Sequence, residues 1–236
     1  MKEFLLENIG HTVQIHGSIH KIRRMSGFAF VLLRTREEII QCVYGEDFSQ
    51  FPLSLLKEEA CVSLSALVVE EPRSKSGFEL RLLTAEVLST PAEPSPIVIH
   101  NKQVETSIEN LLDYRPVTLR NESERAIFKI QAGLCEGFRR FLATEGFTEI
   151  HTPKVVATGA EGGANIFHLE YFRKDAFLAQ SPQFYKQMAM AAGFERIFET
   201  GPVFRAEKSY TNKHSTEFSG FDLEFSYITS FKDVMK

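Results

Sequence analysis

The densest chemistry in the chain lies near its end. Ile197 to Glu207 and Phe218 to Ile228 read as two strands joined by the polar loop Lys208 to Thr216. Side chains alternate faces along a strand, so Glu199, Val203, Arg205 and Glu207 share one side while Phe198, Phe204 and Ala206 share the other. In the second strand Phe221, Leu223, Phe225 and Tyr227 oppose Asp222, Glu224 and Ser226. Each strand therefore has one apolar and one charged face. A half-buried hairpin with a solvated outer side is the ordinary product of such a pattern. Here Arg205, Glu207, Asp222 and Glu224 are mixed in sign and concentrated on one face. An arginine among carboxylates on a rigid sheet suits a ligand carrying both phosphate and ammonium groups.

Those strands need neighbours to hold them. Asn121 with Glu124 three residues on forms a capping box, and Ile127, Ile130, Leu134, Phe138, Phe141 and Leu142 recur at helical spacing until Gly146, which predicts one long amphipathic helix. A strand from Thr148 to Val156, interrupted by Pro153, follows. Next come a small-residue loop, Ala157 to Ala164, and a short strand, Asp175 to Ala179. Ser181 offers an N-cap with Pro182 at the first helical position, and that helix runs through Ala192 to a stop at Gly193. After the hairpin, Ser230 with Asp233 gives a fresh capping signal.

The first part of the chain reads differently. Thr12 to His20, Phe28 to Leu33, Ile39 to Tyr44, Cys61 to Val69 and Glu79 to Val87 are short β-branched or alternating stretches divided by turn residues. Asp47 to Glu59 has helical composition and sits where a five-stranded Greek-key barrel often carries a helix, so an OB-fold is expected. Pro91, Pro94 and Pro96 then break the pattern and mark a boundary. The expected division is a barrel domain over 1–92, a polar connector over 93–120 and a second domain over 121–236. On the barrel, the basic cluster His20, Lys21, Arg23 and Arg24 precedes Phe28 and Phe30, with Arg34, Arg36 and Gln41 following. Cations interleaved with aromatics suit single-stranded RNA, where stacking is worth roughly 1–3 kcal/mol per base. Phe28 is expected in the barrel core.

Composition sets the outer limits. With 236 residues, 43% hydrophobic and 25% charged, the chain has the make-up of a globular protein rather than a disordered or fibrous one. Lys plus Arg 27 against Asp plus Glu 31 gives a net charge of −4, so a nucleic-acid partner must be held by local basic patches. The longest apolar run, Phe28 to Leu33, is far short of a membrane span, and no leader pattern follows Met1. Cys42, Cys61 and Cys135 form neither a disulfide framework nor a zinc pattern. A soluble, cytoplasmic protein with no membrane association is expected.

The segment GPVFRAEKSYTNKHSTEFSGFDLEF, from Gly201 to Phe225, resembles motif 2 of the class II aminoacyl-tRNA synthetases, in which a fRxE strand, a loop and a second strand succeed one another. LAQSPQFYKQMAMAAGFERIFE, with the preceding ATGAEGG, is similar to the amino-acid pocket of aspartyl-tRNA synthetases, especially the archaeal and eukaryotic type. The helix from Asn121 and the strand containing Pro153 resemble motif 1, which builds that family's homodimer interface. The resemblance covers essentially the whole chain, because an N-terminal OB-fold for the anticodon is the family arrangement. It implies an all-β OB-fold barrel followed by an incomplete α+β class II catalytic domain, with an antiparallel sheet and helices.

Carried over residue by residue, the resemblance makes Arg205 the catalytic group that grips the ATP α-phosphate and sets Glu207 facing the adenine amino group. A bidentate guanidinium stabilises charge developing at phosphorus. Ser181, Gln183 and Lys186 correspond to aspartate-binding residues, Glu161 to the mobile loop over the substrate ammonium, and Asp222 to an ammonium or pocket-network partner. Gln183 and Lys186 are three apart on one helical face near an N-terminus, whose partial positive charge favours a carboxylate. Glu224 and His214 match positions nearer the phosphates, the metal and the acceptor end, with Glu224 the candidate for Mg²⁺; a solvated loop histidine is the alternative for His214. Phe30 aligns with the residue stacking on the central anticodon base, and Arg23 and Gln41 with anticodon contacts. The family's acidic-then-Gly turn is replaced by Thr35, Arg36, Glu37 and Glu38.

The implied activity is that of an aspartate–tRNA ligase using ATP and Mg²⁺. Its partners would be aspartate, tRNA(Asp), with tRNA(Asn) left open, and a second copy of the chain. The family's third motif, a glycine-rich strand followed by a helix with a second ATP-binding arginine, has no match here, so a truncated chain inactive alone is expected. Asparaginyl-tRNA synthetase is a rival on the same scaffold, which the Ser-Pro-Gln and Lys186 pattern disfavours. A non-catalytic tRNA-binding paralogue is the rival from another class.

Overall fold

In the computed structural model, residues 1–74, 76–159, 165–207 and 214–235 are described. They fall into two compact units, 1–126 and 127–236.

The first unit is built on a closed barrel of β1 (Thr12–Arg24), β2 (Phe28–Arg34), β3 (Ile39–Gly45), β4 (Cys61–Glu70) and β5 (Phe78–Ser89), in the order β1-β2-β3-β5-β4. Alternate residues of each strand point inward: Val13 and Ile15, Ala29, Val31 and Leu33, Val62, Leu64 and Val68, Leu80 and Leu82 are all buried. Each of the valine, leucine and isoleucine side chains contributes roughly 1.5–3 kcal/mol on leaving water. Helix α1 (Lys2–Glu7) precedes the barrel and inserts Leu5 into this core. Because Ala29 and Val31 occupy the inner positions of β2, both Phe28 and Phe30 must face outward. Phe28 is 41% exposed and meets Phe30 edge-on at 5.3 Å, so the expectation of Phe28 in the core is corrected.

The helix expected over Asp47–Glu59 reduces to one 3-10 turn, Leu53–Leu55. Phe51 and Leu56, buried on either side of that turn, pin the segment to the barrel, and Gln50 N–H donates to the Leu83 carbonyl at 2.8 Å. Two points of anchorage so close together, with Pro52 between them lacking an N–H, leave no run long enough for a helix. The polar connector contains two short helices, α2 (Ile108–Asp113) and α3 (Arg115–Thr118). Ser107 caps the first through its hydroxyl, which accepts from Asn110 N–H at 3.3 Å.

Helix α4 (Glu122–Thr144) runs across the boundary between the units. Asn121 caps it by accepting from the N–H groups of Ser123 and Glu124 at 2.9 and 3.3 Å. The reciprocal half of the expected capping box is absent. The Asn121 N–H already donates to the Thr118 carbonyl, and the Glu124 carboxylate accepts from Arg115 instead.

The second unit holds two small sheets. One has the order β11-β10-β6, with β6 (Thr148–Glu149) parallel to β10 (Arg196–Phe204) and β11 (Glu217–Phe225) antiparallel to it. The other has the order β7-β9-β8, from β7 (Val155–Val156), β8 (His168–Tyr171) and β9 (Lys174–Leu178). The single strand expected over Thr148–Val156 is thus two strands in different sheets, since the chain leaves one ladder before Pro153 and joins another after it. The strand β8 went unread, and β9 begins one residue before the expected start. Helix α5 (Gln183–Ala191) starts after Pro182, with Ser181 Oγ accepting from Gln183 N–H at 3.4 Å. The two helices take opposite faces of the β10–β11 hairpin. Phe138 of α4 stacks on Phe221 at 4.6 Å and meets Phe198 edge-on at 5.7 Å, while α5 applies Lys186 to the charged face. Ile127, Ile130, Leu134 and Phe141 of α4 remain exposed. Ser230 and Asp233 do form a capping box, on the 3-10 turn Phe231–Asp233. No described helix is long and apolar enough to cross a membrane.

Candidate functional site

The antiparallel register of β10 and β11 sets Ile197 opposite Glu224, Glu199 opposite Asp222, Gly201 opposite Gly220 and Val203 opposite Phe218. Facing residues in a ladder point the same way, so Glu199, Asp222 and Glu224 crowd one face of the hairpin. Three carboxylates this close need counter-charge. Lys186, only 6% exposed on α5, reaches Asp222 at 3.0 Å and Glu224 at 3.3 Å. Lys154 Nζ donates to Glu199 at 2.9 Å and to the Thr152 hydroxyl at 3.1 Å. The Glu199 carboxylate, 3% exposed, also accepts from Thr152 N–H at 3.0 Å and from its Oγ1 at 2.7 Å. Burial is the largest influence on Glu199 and pushes its carboxyl up, but the Thr152 N–H, the Lys154 ammonium and the Thr152 hydroxyl together hold it below the ordinary value of 4.5. Lys154 and the role of Glu199 were missed in the sequence; a carboxylate on the same strand face as Arg205, two residues before a glycine, was the available signal.

The glycine row next to this cluster is open by construction. A Cβ on Gly201 would come within 3.2 Å of Glu199 Oε1 and 3.5 Å of Lys154 Nζ, and one on Gly220 within 3.1 Å of Asp222 Oδ2. Without side chains there, a ligand can lie on the backbone between the lysine–carboxylate cluster and the far end of the hairpin. At that end Arg205 N–H donates to the Thr216 carbonyl at 2.9 Å, and the Arg205 guanidinium stands 5.4 Å from the centre of the Phe218 ring. His214 Nε2 is 3.7 Å from Glu207 Oε2. The Phe204 N–H donates to the Ala179 carbonyl at 2.9 Å, which binds the end of β10 to the segment leading into Ser181, and the Ala206 N–H donates to the carbonyl of Asn165, ahead of β8, at 2.8 Å.

The expected residues therefore divide into groups. Lys186, Asp222 and Glu224 are in contact with one another. Arg205, Glu207 and His214 gather at the loop end of the same hairpin. Gln183 shares the first turn of α5 with Lys186. Ser181 lines an apolar cavity of about 270 Å³ with Val156, Phe184 and Met188. Glu161 lies outside the described residues.

On the barrel, Arg23 is paired across to Phe30, and Gln41 is paired to Leu32, one step diagonal from Phe30. The three share the outer surface, and Phe30 and Gln41 border a cavity of about 580 Å³ with Arg73, Ser76 and Glu79. One member of the expected basic cluster leaves it, since His20 is buried, and Arg34, expected to follow the aromatics, is tied to Glu59 at 2.8 Å. The turn after β2 is organised by Thr35, whose Oγ1 donates to the Glu38 carbonyl at 2.8 Å and accepts from Glu38 N–H at 3.2 Å. Among the described residues no group of three or more His, Cys, Asp or Glu side chains is placed to hold a metal ion.

Comparison with known proteins matches this arrangement. The family model for OB-fold nucleic acid binding domains matches residues 13–88, and that for class II tRNA synthetases (D, K and N) matches residues 107–236. The aspartate–tRNA(Asp/Asn) ligase of Thermus thermophilus is 41% identical over 98% of this chain and 53% of its own length. The aspartate–tRNA(Asp) ligase of Pyrococcus furiosus is 39% identical over 96% of this chain and 52% of its own. Among solved structures, asparaginyl-tRNA synthetase from Pyrococcus horikoshii complexed with asparaginyl-adenylate superposes with a TM-score of 0.86 at 32% identity, over 97% of this chain and 52% of that one. A putative aspartyl-tRNA synthetase from Leishmania major gives 0.85 at 30% identity, over 99% and 49%. The chain thus spans about half the length of the relatives it matches. With an OB-fold barrel joined to a charged β-hairpin floor, and a family match over more than half its residues, this chain belongs to the class II tRNA synthetases (D, K and N).

Proposed function

We propose that the chain supplies the anticodon-binding barrel and the amino-acid side of the catalytic site of an aspartate–tRNA ligase. Residues 1–92 would read the anticodon through Arg23, Phe30 and Gln41, residues 93–120 would connect, and residues 121–236 would carry the chemistry. The observation that supports aspartate is the buried Lys186 ammonium between Asp222 and Glu224. A cation held there by two carboxylates can turn to a substrate β-carboxylate, leaving Asp222 to take the substrate ammonium. An asparagine amide would offer the Lys186 ammonium no charge in exchange for the Asp222 carboxylate it gives up.

In this reading the α-carboxylate of aspartate attacks the α-phosphorus of ATP and pyrophosphate leaves; a hydroxyl at the 3′ end of tRNA(Asp) then attacks the aspartyl carbonyl and AMP leaves, with tRNA(Asn) a second acceptor to be tested. Arg205 holds the α-phosphate as charge develops on it, Glu207 meets the adenine amino group with His214 beside it, and Ser181 and Gln183 orient the amino acid with Glu161. No side-chain nucleophile is required, so the residues act by positioning and electrostatics. Mg²⁺ would neutralise phosphate charge. Glu224 is a fitting ligand for it, because this ion commonly takes one or two carboxylates together with substrate phosphates. The exposed stripe of α4 would pair two copies, and the setting would be cytoplasmic.

The test is aspartate-dependent ATP–pyrophosphate exchange by the product of the complete gene, at about 1–100 per second. The 236-residue chain alone is expected to stay far below that. Exchange supported by asparagine in place of aspartate would overturn the assignment and favour the asparaginyl reading; tRNA binding without any exchange would favour a non-catalytic paralogue.

A further inference from the structure

The barrel unit departs from regular backbone at two places that serve one buried cluster. Pairing of β1 with β2 slips between Ile19 and Lys21, which makes His20 the extra residue of a bulge. Bulges re-aim a side chain, and this one turns His20 inward to 5% exposure beside Ile19, which is also buried. Just before β4, Glu59 adopts a φ of +67°, a left-handed conformation unfavourable for a residue with a Cβ. Its carboxylate accepts from both terminal nitrogens of Arg34 at 2.8 and 2.9 Å, and from Arg120 Nη1 at 2.6 Å.

Arg34 Nη1 also lies 3.2 Å from His20 Nδ1. A guanidinium has donors only, so Nδ1 must be the acceptor, and the ring is neutral with its proton on Nε2. His100 of the connector meets the His20 ring edge-on at 6.5 Å. The remaining charged groups around His20 are Lys57, Glu58 and Glu93, which line a cavity of about 390 Å³ with it, and Lys102 and Glu122, which border it on another side. Arg120 and His100 belong to the segment outside the barrel, whereas His20, Arg34 and Glu59 belong to the barrel itself.

We propose that His20, Arg34, Glu59 and Arg120 form a proton-sensitive latch, which holds the connector against the barrel while His20 is neutral and releases it when His20 takes a proton. A proton on Nδ1 would set a donor against the Arg34 donor and add a third cation to a cluster that holds Arg34, Arg120 and a single carboxylate. Burial already pushes His20 below its ordinary value of 6.5, and Arg34 pushes it further, against the opposing pull of Glu59. Because the group is depressed in the latched state, that state binds fewer protons than the released one. The latch is therefore fully closed above pH 6.5 and loosens as pH falls towards the latched value, with release growing by up to about tenfold per pH unit for one proton.

Hydrogen exchange on the intact 236-residue chain, corrected for the intrinsic pH dependence of exchange, tests this. Amides of Thr118 to Asn121 should lose protection by up to about tenfold per unit below pH 6.5 in the wild type, and His20→Gln, which cannot titrate, should flatten that response. Arg120→Met leaves the Arg34–Glu59 pair in place, so it should remove protection of the connector at every pH while the β1 and β4 amides stay protected. An unchanged pH response in His20→Gln, or a connector as protected in Arg120→Met as in the wild type, would overturn the proposal. Should His20→Gln fail to fold, the His20 ring titration in the wild type decides: a midpoint below 6.5 that tracks loss of protection supports the latch, and one at or above 6.5 overturns it.

Discussion

Replacing Lys154 by Met isolates the charge that supports Glu199 while keeping most of the stem beside Gly201. Removing one partner of a buried ion pair costs about 3–5 kcal/mol, because the other charge stays desolvated. Two observations place this case below that range. The Lys154 side chain is 21% exposed against 3% for Glu199, and the carboxylate keeps its bonds from Thr152 N–H and Oγ1. The expected loss is therefore about 2–3 kcal/mol, or roughly 8–20 °C in Tm for the unit formed by residues 127–236. Urea unfolding followed by circular dichroism measures it, and a cycle with Glu199→Gln isolates the pair, the double variant being about 1–2 kcal/mol less damaged than the single losses summed. The pH dependence has a defined sign. Since the Glu199 carboxyl is held below 4.5 in the fold, its contribution is present above pH 4.5 and is lost as pH falls through the folded value. Lys154→Met should shift that loss to higher pH. A single loss under about 0.5 kcal/mol with strict additivity in the cycle would refute the reasoning.

Two further outcomes concern the proposed substrates. Phe30→Ala should weaken binding of a tRNA(Asp) anticodon stem-loop by roughly 1–3 kcal/mol in a fluorescence titration and leave the barrel folded, since the ring lies outside the core; an unfolded variant would mean that Phe30 is structural. Lys186→Met, in the product of the complete gene, should lower kcat/KM for aspartate at least about 100-fold with little effect on ATP binding, and an unchanged value would reopen the asparagine reading.

Much of the second unit's site was legible because strand alternation is a strict rule. Asp222 and Glu224 were assigned to one face by parity alone, and the register puts them there. Lys186 was legible as a helix position but not as a buried ammonium, since its burial depends on α5 packing across the hairpin, a contact between elements that no local pattern encodes. Lys154 was invisible for a related reason: it follows Pro153 in a segment read as one strand, and only the division of that segment between two sheets turns it towards Glu199. In the barrel, parity was applied less strictly. Ala29, Val31 and Leu33 are the inner residues of β2, and the large Phe28 ring drew the core assignment to the wrong face. His20 and Arg34 were counted as RNA-facing cations because a bulge and an ion pair with Glu59 leave little trace in composition.

The position of β11 at the end of its sheet has a consequence for how the molecule behaves among copies of itself. Among the described residues β11 has one ladder neighbour, β10, and its other edge presents backbone donors and acceptors that a second copy could pair with. Glu217, Asp222 and Glu224 lie along this strand with no lysine or arginine among them, and Lys186 supplies a single positive charge to Asp222 and Glu224 together, so two copies approaching edge to edge still bring net negative charge together. At 0.1 M ionic strength such repulsion extends about 10 Å, and at 1 M only about 3 Å. Pairing of this edge with a second copy is therefore opposed by the net negative charge along β11. Raising the salt concentration removes that opposition and promotes strand-to-strand association, opposite to its usual effect on assemblies held by ion pairs.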